Sequence, residues 1–190
     1  LAEGALVTTS SPRRQEQLRA VRPDLHIKEV RGNVVTRMEK LAENEGIAAT
    51  VLAAAGLGRL NFKIEDGRLT GDAVPENIHA EKLELEVMLP CAGQAAIGIE
   101  VRAGDDRIES ICSRLNHFNS RQAVKAERAL LAAMGGGCSS PLGALATVNG
   151  ERITLRAVSF FENNVQRAEA KGDINEPEIL GGEVAKKLRA

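Results

Sequence analysis

The stretch Gly135-Gly136-Gly137-Cys138-Ser139-Ser140-Pro141 puts a thiol on backbone almost free of side chains, with two hydroxyls and a proline behind it. Three glycines end the helix-like run that precedes them and give the chain conformations closed to other residues. A thiol presented in this way suits attachment of a bulky group at sulfur. The competing reading is a small, inert cysteine beside a helix end. A second set of candidates is cationic. Ser11 reads as an N-cap and Pro12 as the first helical residue, which puts Arg13 and Arg14 in the first helical turn. That is the unfavourable end for cations, because the free amides already make it positive. Paired arginines there make sense if an anion binds among them, with the Ser10 and Ser11 hydroxyls completing the cradle; otherwise they are solvated surface charges.

The elements that must position these groups alternate. Ala5-Leu6-Val7-Thr8 reads as a buried strand, followed by a helix from Pro12 to about Val21. Leu25 to Val30 is a second strand, and Val34 to about Glu43 a helix with Val34, Met38 and Leu41 at helical spacing. Ala48 to Ala53 is a third strand. Alternation of this kind predicts βαβ units and a parallel sheet, with ligands beyond the carboxyl ends of the strands. Arg13, Arg14, Arg31, Arg37 and Arg59 all fall at or after those ends. Five guanidiniums at one rim repel one another unless carboxylates or phosphates enter between them, so the expected ligand is a polyanion.

Composition narrows the classes. The 190 residues suffice for one or two domains with real cores, and 43% hydrophobic with 27% charged residues is ordinary for a globular protein. No run reaches the length of a membrane span and residues 1–20 lack a signal-peptide core, so a cytoplasmic location and no membrane partner are expected. A net charge of −1, no Trp or Tyr and four Phe argue against nucleic acid as a partner. Cys91, Cys112 and Cys138 lack CxxC spacing and His26, His79 and His117 are scattered, so neither disulfides nor a metal site is expected.

Six motifs then occur in a telling order: Ser10-Ser11-x-Arg13-Arg14-Gln15, Arg31-Gly32-Asn33-Val34-x-Thr36-Arg37, Ala54-Ala55-Gly56-Leu57-x-Arg59-Leu60, Leu89-Pro90-x-x-Gly93-Gln94-x-x-Ile97-Gly98-Ile99-Glu100, Ala126-Glu127-Arg128, and Gly136-Gly137-Cys138-x-x-Pro141-Leu142-Gly143-Ala144. From about Val7 to Thr147 the sequence resembles the porphobilinogen deaminase (hydroxymethylbilane synthase) family. The resemblance implies a transferase of tetrapyrrole biosynthesis that joins porphobilinogen units with loss of ammonia and releases hydroxymethylbilane. It implies that Cys138 holds a dipyrromethane cofactor through a thioether. It implies too that Ser10, Ser11, Arg13, Arg14, Arg31, Arg37 and Arg59 bind the acetate and propionate groups of cofactor, porphobilinogen and linear pyrrole oligomers.

The departures matter as well. Thr8-Thr9 stands where the family has Gly-Thr, Val35 where Gly or Asp is common, and Ser139-Ser140 where Gln-Val is frequent. The family's His-Ser-x-Lys-Asp motif, whose aspartate handles protons, does not occur here. The resemblance therefore implies that most of a first domain is absent from this chain, that no catalytic residue lies within it, and that the absent domain is a candidate partner as a separate chain. Arginines cannot replace that aspartate, and Asp24, Asp105 and Asp106 are candidates only as carboxylates.

The expected organisation is an α/β domain at 1–90, similar to a lobe of a type 2 periplasmic-binding protein, with an inserted segment at about 61–88. That segment has three positive and seven negative residues, and it reads as a surface elaboration with a hairpin at Asp66-Gly67. Residues 91–117 form a return segment belonging to the first domain, with a strand from Ala95 to Val101 and a helix from Ile108 to Leu115. Residues 118–190 form a small α+β domain. Ser120 caps its long helix, Asn149-Gly150 turns a hairpin, Val165 to Ala170 completes a three-stranded antiparallel sheet, and Glu178 to Leu188 closes the chain. Glu127 and Arg128 are adjacent, do not face each other, and read as surface charges. The alternative function is a non-catalytic pyrrole- or polycarboxylate-binding module of periplasmic-binding-like architecture.

Overall fold

Strand β1 (Leu6–Thr8) is the middle of a parallel sheet of order β2-β1-β3, flanked by β2 (His26–Lys28) and β3 (Ala49–Thr50). Leu6 pairs with His26 and Thr8 with both Lys28 and Thr50. Helix α1 (Pro12–Val21) connects β1 to β2, and α2 (Val34–Ala42) connects β2 to β3. These are the βαβ units that the alternation of apolar runs predicts, though β2 and β3 are shorter than their apolar stretches. The computed structural model describes every residue except Cys138, Glu162 and Asn163. It divides into two compact units, Leu1–Met88 and Leu89–Ala190.

In the first unit, Val7 on β1 is buried with Leu18 of α1 and Leu25, and Ala5, Ile27, Ala49, Val51 and Met88 pack around them. A second cluster is centred on Met38 of α2 with Phe62 and Leu69. Those last two residues correct the reading of 61–88 as surface only. After α3 (Ala54–Arg59), β4 (Lys63–Glu65) and β5 (Arg68–Thr70) make the hairpin expected at Asp66-Gly67, and the hairpin contributes Leu69 to the core. The reversal places Asp66 at φ 50° and Gly67 at φ 75°, the left-handed pair that a two-residue hairpin turn requires.

The second unit contains α4 (Asp106–Ser113), α5 (Phe118–Ala133), β6 (Leu142–Asn149), β7 (Arg152–Ser159), β8 (Gln166–Asp173) and α6 (Pro177–Lys187). The antiparallel sheet β6-β7-β8 pairs residues 142 to 149 with 159 to 152, and 152 to 159 with 173 to 166. Alternate residues of its strands, Ala144, Ala146, Ile153, Leu155, Ala157 and Ala170, form one core with Ala126 and Leu130 of α5 and Leu180, Val184 and Ala185 of α6. Helix α5 and helix α6 approach closely because Gly181 has no side chain: a Cβ there would lie 2.6 Å from the Ala126 carbonyl oxygen and 2.7 Å from Ala129 Cβ.

Three expectations are corrected in this unit. The stretch Ala95 to Val101 is not a strand, and residues 97–105 form neither helix nor strand; Ile97 and Ile99 are 79% and 55% exposed. Alternation alone makes no strand where there is no neighbouring backbone to pair with. The N-cap of α5 is His117 rather than Ser120: the His117 ring accepts from the Ser120 amide, and its Nδ1 is 2.9 Å from Ser120 Oγ. Glu127, read as a surface charge, is 5% exposed and bonded to backbone on both oxygens. Among the described residues no helix is long and apolar enough to cross a membrane.

Candidate functional site

The candidate anion-binding residues of the first unit lie on the loops and helices that follow the carboxyl ends of β1, β2 and β3. In a doubly wound sheet of order 2-1-3, the boundary between β1 and β3 is where ligands bind. Arg14 spans that boundary, donating from a guanidinium nitrogen to the Val51 carbonyl oxygen at 2.9 Å. Ser10 ties the β1 loop to the end of β2. Its Oγ donates to the Val30 carbonyl at 2.5 Å and accepts from the Val30 amide at 3.1 Å. The Ser10 proton is thus already committed, so this hydroxyl fixes the rim first and reaches a ligand only by leaving Val30. Ser11 is the N-cap of α1, as its position before Pro12 implied, but its side chain makes no capping bond; its own amide donates to Thr9 Oγ1 at 3.3 Å.

Burial separates the two first-turn arginines from ordinary surface cations. Arg13 is 6% exposed and Arg14 half-buried, and neither is without a partner. They hold positive charge against the amide end of α1, and the same field attracts an anion that arrives beside them. Arg31 is different: it is exposed and pairs with Glu29 at 3.2 Å, both side chains being mostly solvated. Such a pair contributes little and is easily exchanged for a ligand carboxylate. Arg37, in the first turn of α2, donates from Nε to the Gly32 carbonyl at 2.9 Å, while Lys40 donates to the Arg31 carbonyl at 2.8 Å. Gly32 has to be glycine there: its φ is 127°, and a Cβ would lie 2.8 Å from Thr36 Cγ2. Asn33 caps α2 by accepting from the Thr36 amide at 2.9 Å.

Arg59 is exposed and is the last residue of α3, nine positions after the end of β3. Ser10, Ser11, Arg13, Arg14 and the Arg31–Arg37 turn thus follow directly on β1 and β2, whereas Arg59 follows β3 only after the whole of α3. Sequence reasoning missed Thr9, which is fully buried and accepts from Gln15 Nε2 through its carbonyl at 2.8 Å. The only signal for it was the uninterrupted hydroxyl run Thr8-Thr9-Ser10-Ser11.

Asp24 is locked by two 2.7 Å bonds from Arg22, which hold its carboxyl well below the usual range. Asp105 caps α4 by accepting from the Ile108 amide at 3.1 Å, and Asp106 lies in the first turn of the same helix. Among the described residues no group of three or more His, Cys, Asp or Glu side chains could hold a metal ion.

Cys138 lies outside the described residues. The Gly136 amide donates to the Leu131 carbonyl at 3.0 Å, closing the end of α5. The Gly137 amide donates to Ser140 Oγ at 2.7 Å, and the Ser140 amide donates to the Gly137 carbonyl at 3.0 Å. A Cβ on Gly136 would lie 2.7 Å from Ser140 Oγ and 2.8 Å from Leu131 Cδ1, so the middle glycine is required by packing.

A family model described as "Porphobilinogen deaminase, dipyromethane cofactor binding domain" matches residues 1–110, and "Porphobilinogen deaminase, C-terminal domain" matches residues 121–190. The chain belongs to the porphobilinogen deaminase family. It is 44% identical over 188 residues to a porphobilinogen deaminase of Moorella thermoacetica, covering 98% of this chain and 56% of that protein. It is 42% identical over 189 residues to one from Roseiflexus castenholzii, covering 99% of this chain and 58% of the relative. A third, from Roseiflexus sp. strain RS-1, is 41% identical over the same length and coverage. The chain thus spans a little over half the length of these deaminases. The deaminase cofactor of the matching family model and the residues present fit each other chemically: carboxylate-bearing pyrroles need guanidiniums and hydroxyls, and the loops after β1, β2 and β3 supply them.

Proposed function

We propose that this chain serves a porphobilinogen deaminase, a transferase that joins porphobilinogen units with release of ammonia to give hydroxymethylbilane. The observation that carries the reading is the pair of first-turn arginines, one buried and one bonded across the β1–β3 boundary, in a chain whose residues 1–110 match the cofactor-binding domain of that family. In this reading Cys138 supplies the sulfur to which dipyrromethane is attached. Arg13 and Arg14 take carboxylates of the bound pyrroles at the amide end of α1. Arg31, Arg37 and Arg59 bind further carboxylates, and Ser10 and Ser11 contribute hydrogen bonds. When bound, the cofactor supplies the pyrrole primer that is extended. The residues of this chain then bind and orient, because an arginine rim neutralises carboxylates but moves no proton at neutral pH. The proton-handling aspartate belongs to a segment that the family has and this sequence does not contain, and that segment is the partner the reading calls for. We also read the first unit as a lobe of the periplasmic-binding kind, on the strength of its parallel sheet order. The binding-module alternative has no observation of its own.

The test is the intact mass of the denatured protein, followed by peptide mapping around Cys138, after the folded chain has been supplied with porphobilinogen or hydroxymethylbilane. The expected result is an adduct of two linked pyrrole units on Cys138. An unmodified Cys138 in folded protein would overturn the assignment of this residue as the attachment point.

A further inference from the structure

Arg59 closes α3, a helix of six residues none of which is buried, and helices this short are not stable by themselves. A complete cap ends it. The Phe62 amide donates to the Leu57 carbonyl at 3.0 Å and the Asn61 amide to the Gly58 carbonyl at 3.1 Å, while Asn61 takes the left-handed backbone, at φ 57°, that such a cap requires. Caps of this kind bring together two apolar residues, the one after the left-handed position and the one whose carbonyl it meets. Here these are Phe62 and Leu57, and both belong to the cluster centred on Met38.

That cluster joins two helices. Val34, Val35 and Met38 come to it from α2, Leu57 from α3 and Leu69 from β5. Gly56 of α3 also approaches α2, since a Cβ there would make ordinary contact with Val34 Cγ2 at 3.7 Å. Phe62 is buried, and the segment after α3 closes its seat. A Cβ on Gly71 would lie 2.4 Å from Phe62 Cδ1, so the ring lies against bare backbone. Residues 78–80 then fold back on β5, the Leu69 amide donating to the Ile78 carbonyl and the Ala80 amide to the Gly67 carbonyl, each at 2.9 Å. Arg37 and Arg59 are thus carried on helices that share one core.

We propose that Phe62 is a positioning residue for Arg59: its ring, seated among Met38, Leu69 and Gly71, holds the cap of α3 against α2 and so sets where the Arg59 guanidinium stands relative to Arg37. The acidic, mostly exposed segment 63–80 then has a task, which is to close that seat. The ligand side of this inference rests on the deaminase reading, in which both arginines take carboxylates; the positioning itself does not. Guanidiniums on separately mobile helices would have to be ordered as a polycarboxylate binds, and that ordering costs affinity.

The experiment uses the full chain, its Arg59→Ala and Phe62→Ala variants and the double variant, with porphobilinogen as the probe in calorimetric titrations. Limited trypsin digestion compares wild type with F62A in the absence of ligand. F62A is expected to speed cleavage after Arg59 by roughly tenfold or more, with cleavage after Arg19 in α1 unchanged. Unchanged cleavage after Arg59, or equal acceleration at both sites, would overturn the proposal. In the titrations R59A and F62A should each weaken binding by roughly tenfold, the scale of one charge-assisted hydrogen bond. Once Arg59 is gone, F62A should weaken it no further, because Phe62 acts through that side chain. A Phe62 effect of the same size in both backgrounds would also overturn the proposal, since the ring would then support the unit in general. Binding that is the same with and without Arg59, together with accelerated cleavage after Arg59 in F62A, would uphold the positioning and remove Arg59 from the deaminase reading. If F62A does not fold, Phe62→Leu is read by the same criteria, because it keeps the seat apolar but gives up the ring against Gly71.

Discussion

Burying a charged group costs free energy that its partners must offset, and Glu127 shows which contribution prevails. Burial pushes its carboxyl above the ordinary value, and the amide donors of Ala146 and Gly93 only partly bring it back. A carboxyl whose folded value is raised binds its proton more tightly in the folded state than in the unfolded one. Its contribution to stability is then complete below the ordinary glutamate range of about 4.3 and is lost as the pH rises through the raised folded value. Denaturant midpoints measured from pH 4 upward should show the wild-type chain losing stability relative to Glu127→Gln across that window. Parallel profiles for the two proteins would mean that Glu127 titrates normally. The same accounting applies to Ser10, whose hydroxyl was expected to meet a ligand: a proton already given to Val30 at 2.5 Å must be withdrawn before it can be offered elsewhere.

At the scale of elements, α6 carries two adjacent glycines in a helix interior, where each costs up to about 1 kcal/mol relative to alanine. They have opposite reasons for being there. Gly181 faces α5, and a methyl group would press on the Ala126 carbonyl, whereas a methyl group on Gly182 would meet nothing within 4 Å. Gly181→Ala should therefore destabilise the chain by about 1–3 kcal/mol through overpacking. Gly182→Ala should stabilise it by about 0.5–1 kcal/mol, and thermal or denaturant melts of the two variants settle the signs. Equal effects would mean that α5 and α6 do not approach as closely as described. The 95–101 stretch teaches the converse lesson: its alternating isoleucines satisfy the pattern of a strand, but a strand also requires a neighbour's amides and carbonyls.

Across the whole chain, the two units differ in how much regular structure carries their cores. The second has three eight-residue strands, and its core joins the sheet to two helices of 16 and 11 residues, whereas the parallel sheet of the first has strands of two or three residues. Hydrogen exchange of the full chain should accordingly give the longest protection in β6, β7, β8 and α5. The shortest should fall in elements that bury no residue, such as α3, β4 and α4. Protection of β1 exceeding that of β7 would contradict this ranking. Helices α1 and α2, the Asp66-Gly67 hairpin and the β6–β7 hairpin, whose turn is Gly150-Glu151 rather than the expected Asn149-Gly150, were legible because each is fixed by neighbours within a few positions.

Local chemistry thus dictated much from the sequence: the helix start at Ser11-Pro12, the Asp66-Gly67 turn, and six motifs whose order marks the porphobilinogen deaminase family. Contacts between residues far apart in sequence were decided only by the fold. That Arg14 reaches Val51, that Phe62 and Leu69 of an acidic segment are core, that 97–105 has no sheet to join, and that Glu127 is buried between Gly93 and Ala146 all depend on which surfaces meet. Capping, turn type and amphipathic spacing are set by short-range sterics and hydrogen bonds, whereas burial and pairing depend on how the whole chain excludes water.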